Sequence, residues 1–110
     1  MKRYLLFACL VASPWLSQAA SFACNKAVHA DEKAICANRS LNDKDVEMAT
    51  KYQFLKGLFA MGRSGDMADS QQAWLKQRQA CGGNVQCLTQ RYQQRIAELN
   101  KIYDSIEKPL

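Results

Sequence analysis

An all-α fold follows from three features of the 110-residue chain. Val85, Leu88, Tyr92, Ile96, Leu99, Tyr103 and Ile106 step by three and four, the spacing of one helix face. Met67, Trp74 and Cys81 lie seven apart on a second stripe, and Leu75 beside Trp74 widens it. Between the stripes stands Cys81-Gly82-Gly83-Asn84. Gly82 suits the left-handed residue that follows a helix end, and Asn84 suits the cap of the next helix. No segment shows a strand pattern, an internal repeat or low complexity. The expected architecture is a small disulfide-stapled domain with a short N-terminal helix and three longer helices.

The chain opens as an exported protein does. Met1-Lys2-Arg3 is basic, and the run from Tyr4 to Leu16 is apolar apart from Ser13 and Pro14. Ser17-Gln18-Ala19 places small residues where a signal peptidase reads them. A signal peptide is therefore expected over 1–19, with cleavage after Ala19 and a second possible site after Ala23, leaving one domain over 20–110. The run is too short and interrupted for a stable membrane span. Ser21-Phe22-Ala23 lacks the branched aliphatic residue expected before a lipidated Cys24. Loss of Lys2 and Arg3 takes two charges from the formal +5 and leaves +3. Basic and acidic residues are interleaved, so neither the charge pattern nor the periplasmic or secreted location points to nucleic acid.

Cys9 leaves with the signal peptide, and Cys24, Cys36, Cys81 and Cys87 remain. An even number of cysteines in a short exported chain reads as a disulfide framework. Pairing Cys24 with Cys36 and Cys81 with Cys87 is favoured because each pair flanks a local bend. Each short loop would contribute roughly 2–3 kcal/mol in the chain-entropy model. The competing arrangement ties the N-terminal arm to the later corner. Zinc is disfavoured, since the cysteine spacings do not match paired ligands and His29 is the only histidine. There is no Cys-x-x-Cys for thiol redox chemistry.

In chain order, a brief helix is expected over 30–37, with Asp31 and Glu32 in its first turn, where negative charge is favoured. A second helix is expected to start with Asn42 as cap, Asp45 three residues on, and Leu41 packing on Val46, and to end near Met61. Its stripe is Met48, Tyr52, Leu55 and Phe59, widened by Phe54, Leu58 and Met61. Gly62-Arg63-Ser64-Gly65-Asp66 has turn composition and reads as an exposed loop. A third helix is expected over 67–81, and a fourth over 85–107, stopped by Pro109.

Taken together, these residues resemble a known family. Cys24-Asn25-Lys26-Ala27 and Glu32-Lys33-Ala34-Ile35-Cys36-Ala37-Asn38 are similar to its first motif, and Leu41, Asp45 and Tyr52 follow at its spacing. Gln72, Trp74, Leu75, Arg78 and Cys81, then Cys87-Leu88 and Tyr92, Arg95, Ile96 and Leu99, look like its second. The family is the exported domain typified by the N-terminal part of the lysozyme inhibitor LprI. The resemblance implies a small, exported, disulfide-bonded helical domain and, beyond that, inhibition of lysozyme.

The chain carries no visible catalytic constellation and implies no cofactor. His29 has no recognisable partner and reads as a surface residue near a helix start. Glu98 with Asp104 or Glu107 does not read as the paired carboxyls of a glycosidase. Trp74 and Arg78, four apart, admit two readings. They could form a sugar-stacking or partner-binding pair. The favoured reading makes Trp74 a core anchor that Arg78 covers with its stem. Arg91, Arg95, Glu98 and Lys101 read as a solvated charged face. Arg63 and Ser64 are the better binding candidates, because a cation and a hydroxyl on a protruding loop could complement an acidic cleft; the favoured reading of the stretch itself is an ordinary connection between helices. The expected function is that of a non-catalytic binding protein acting on lysozyme. Its alternative is a structural or adaptor module for another envelope protein or cell-wall glycan.

Overall fold

Among the described residues, four helices, α1 (Ala30–Ala37), α2 (Arg39–Leu58), α3 (Met61–Ala80) and α4 (Val85–Ser105), follow a 3-10 turn at Cys24–Lys26. The computed structural model describes residues 20–59 and 61–106. The expected signal peptide over 1–19, Met61 as a core side chain, and Glu107 and Pro109 lie outside the described residues and side chains. The last helix stops at Ser105, two residues before the expected end, because Ile106 is already extended. Disulfides join Cys24 to Cys36 and Cys81 to Cys87, with Cα atoms 5.8 and 5.6 Å apart. The first ties the N-terminal arm to α1, and the second clamps the corner between α3 and α4.

That corner forms as the sequence predicts. Gly82 has φ +58°, a left-handed conformation that a Cβ would penalise. The Asn84 side chain accepts the Cys87 N–H at 2.9 Å and caps α4.

The start of α2 differs from expectation. One extended residue, Asn38, ends α1 and caps α2, its side chain accepting the Leu41 N–H at 3.1 Å. Asn42 and Asp45 therefore lie inside the helix and are buried, while Val46 is exposed and staples nothing. The helix closes at Phe59, which is extended.

The stretch 62–66, expected as a loop, belongs to α3. Turn-type residues permit a loop without requiring one. Met67, Gln71, Trp74 and Arg78 bury one face of this helix, and once that face is anchored each further backbone bond extends it at small cost. A Cβ on Gly62 or Gly65 would meet nothing within 4 Å, so close packing does not require glycine at either position.

The core lies where the helix stripes meet. It holds Ile35 from α1, Leu41, Met48, Tyr52 and Leu55 from α2, Met67 and Trp74 from α3, and Leu88, Tyr92 and Leu99 from α4. Phe54 and Leu58, expected to widen the α2 stripe inward, point to solvent at 56% and 52% exposure.

Candidate binding surface

Each helix contributes one polar residue to a shared buried network. Asp31 comes from the first turn of α1, Asp45 from α2, Arg78 from α3 and Tyr92 from α4. Arg78 Nε donates to Asp31 Oδ2 at 2.7 Å, and Arg78 Nη1 lies 3.9 Å from Asp45 Oδ1. Tyr92 Oη donates to Asp45 Oδ1, and the Ser21 N–H donates to Asp45 Oδ2, both at 2.7 Å. The Arg78 guanidinium also lies 5.5 Å from the Phe22 ring centre and 6.0 Å from that of Trp74.

Burial pushes the Tyr92 phenol well above the ordinary tyrosine range, and the Asp45 charge and hydrogen bond add to the shift. For Arg78, burial opposes the charge, but Tyr92 and the hydrogen-bonded Asp31 outweigh it and leave its pKa raised. Such a network ties elements together when every lone pair and proton finds a partner.

A second polar contact layer joins α3 to α4. Trp74 Nε1 donates to the Arg91 carbonyl at 3.0 Å, and the indole meets the Tyr92 ring edge-on with centroids 5.0 Å apart. Gln71 accepts from Arg95 Nε at 3.0 Å and points its amide at the Met48 sulfur. Arg95 is buried, so the charged ladder expected to be solvated is broken at this position. Trp74 and Arg78 do come together, but the indole N–H and the guanidinium are both engaged inside the protein.

The outward features lie elsewhere. Lys51, Phe54, Leu55, Leu99, Asn100 and Tyr103 line a groove of about 350 Å³ between α2 and α4. Leu55 and Leu99 are its buried members, while Phe54 and Tyr103 are exposed with ring centroids 6.2 Å apart. Lys51 bonds both Glu47 and Asn100, at 2.9 and 2.8 Å. Leu58 lies one turn beyond Phe54, and at the end of α2 the Arg63 guanidinium sits 4.7 Å from the Phe59 ring centre. Arg63 is exposed and Ser64 half-buried. The exposed Phe54 and Tyr103 rings over this groove make it a candidate contact surface, since apolar side chains grouped on an exterior are what such surfaces carry.

Asp31, Asp45 and Tyr92 carry the centre of the network, although the sequence pattern alone suggests a helix end, a cap and a core ring. One signal does point to Asp45. Leu41, Asp45, Met48, Tyr52 and Leu55 step by four, three, four and three, which puts the carboxylate on the buried stripe. Asp31 has the same relation to Ile35 on α1, and Arg95 to Tyr92 and Leu99 on α4.

Among the described residues, no three metal-ligating side chains cluster and no helix is long and apolar enough to cross a membrane. The fold and its buried network define a small helical domain clamped by two disulfides, with an aromatic groove on its outside. The chain belongs to the LprI family: the family model described as lysozyme inhibitor LprI matches residues 24–99, from the first paired cysteine to the last buried leucine of α4. No curated protein and no solved structure matches the chain.

Proposed function

We propose that this protein is an exported, non-catalytic inhibitor that blocks a lysozyme by docking on its cleft. Membership of the LprI family across both disulfides and all four helices carries this reading. The disulfides support an oxidising compartment, either the periplasm or the exterior. A lysozyme cleft holds two carboxyl groups and accepts a chain of sugar rings. Arg63 offers an exposed cation in the first turn of α3, against the Phe59 ring, and Phe54, Leu58 and Tyr103 offer exposed apolar area on α2 and α4. The mature charge of +3 gives no long-range attraction to a basic lysozyme, so close fit must supply the affinity.

The test is clearance of a cell-wall suspension by several lysozyme types with oxidised protein in molar excess. Slowed clearance is expected, with Arg63→Glu and Phe54→Ala each weakening inhibition about 10-fold or more, the loss typical of a central contact residue. Full-rate clearance by every lysozyme would remove the reading. An adaptor role draws on the Phe54–Tyr103 pair, whose exposed rings beside Asn100 suit a glycan face. Binding of purified glycan strands without inhibition would favour it.

A further inference from the structure

The buried network contains an imbalance. Asp31 and Asp45 contribute two negative charges and Arg78 one positive, all three nearly inaccessible to solvent, while the other buried cation, Arg95, bonds to Gln71 and pairs with Glu98 rather than with either aspartate. Glu32 and Lys56 line the open groove beside them and offset one another. An excess charge held away from water is costly without a partner. The N-terminal arm lies against the site of the excess. The Ser21 N–H is 2.7 Å from Asp45 Oδ2, Ala20 is buried in the core, and Phe22 lies under Arg78.

We infer that signal-peptide removal between Ala19 and Ala20 creates the missing cation, an α-ammonium on Ala20 that docks beside Asp45 and completes the buried network. Water hydrolyses the Ala19–Ala20 amide under an envelope signal peptidase. Ala19 departs as a carboxylate, and the freed Ala20 amine takes up a proton. One residue separates this nitrogen from the Ser21 N–H already bonded to Asp45, a Cα–Cα step of about 3.8 Å. Cleavage after Ala23, the other site legible in the sequence, would remove Ala20, Ser21 and Phe22 and strip Asp45 of one of its two short hydrogen bonds. Processing at Ala20 would thus be a step in folding as well as in export. The inference rests on export and is independent of whether a lysozyme is the target.

The test compares the natural processed protein with a form carrying Gly-Ser ahead of Ala20, which moves the charge away while keeping the Ser21 amide. Intact mass of the exported protein should correspond to a start at Ala20; any other start overturns the proposal. The extension should lower the melting temperature by about 4–8 °C, the effect of roughly 1 kcal/mol in a domain of this size. Equal melting temperatures overturn it. In an Asp31→Asn background, where the network is already neutral, the penalty of the extension should shrink; an undiminished penalty means that the added residues merely obstruct packing, and overturns it too. If Asp31→Asn does not fold, NMR titration of the Ala20 amine in the natural protein decides. Its pKa should lie above the ordinary range of about 7.7–8.0, and a value within or below that range overturns the proposal.

Discussion

At the scale of single residues, Asp45 joins α2 to the N-terminal arm, to α3 and to α4. It accepts from Tyr92 and from the Ser21 amide and lies near Arg78. Removing the cation should therefore be worse than removing the phenol. Arg78→Leu leaves two buried carboxylates facing one another and should lower stability by about 3–5 kcal/mol. Tyr92→Phe deletes one hydrogen bond to a charged group and should cost about 1.5–3 kcal/mol. Urea unfolding of the two variants checks both size and order. The raised pKa of Tyr92 makes a separate prediction. The unfolded phenol loses its proton near pH 10, whereas the folded one keeps it. The contribution of Tyr92 is complete below about pH 10 and declines as pH rises further, toward its folded pKa. In ultraviolet titration, Tyr92 should ionise only as the protein unfolds, and Tyr92→Phe should remove that late phase.

At the scale of elements, α3 is where composition and structure part. Glycine at 62 and 65 is helical and unopposed by neighbours, so alanine fits at both positions. Gly62→Ala and Gly65→Ala should each stabilise the protein by about 0.5–1 kcal/mol. Gly82→Ala should instead destabilise by about 1–2 kcal/mol, because residue 82 is left-handed. Opposite signs for the two kinds of glycine in denaturant melts would confirm the helix boundaries, and a loss of stability at 62 or 65 would contradict them. The first part of α3 is thus a helical projection, and Arg63 is held there by the helix backbone and by the Phe59 ring.

For the whole molecule, the two disulfides act on different joints. Cys24–Cys36 holds the arm that brings Ser21 to Asp45, while Cys81–Cys87 fixes the angle at which α3 enters α4. Reduction should release both constraints, each worth roughly 2–3 kcal/mol for so short a loop. The melting temperature should fall by about 10 °C or more. An unchanged melting curve in reductant would mean that helix packing alone holds the fold. The aromatic groove between α2 and α4 should survive in folded variants of the arm, because no arm residue lines it.

Local chemistry in the sequence determined the helical class, α1, the capped and left-handed corner at 81–84, and the cysteine pairing at the bends, because each depends on neighbours a few residues apart. The stripe of Met48, Tyr52, Leu55 and Phe59 was legible too, although Phe59 packs against the core from just beyond the helix end. Only tertiary structure decided that Phe54 and Leu58 face outward, that 62–66 is helical and that Arg95 is buried. It also brought Asp31, Asp45, Arg78 and Tyr92 together, in two hydrogen-bonded pairs whose members are each 47 positions apart in the chain. Periodicity reports which residues share a face but not what lies opposite. A charge becomes a core residue only when another helix supplies its partner, and that pairing depends on how the helices cross.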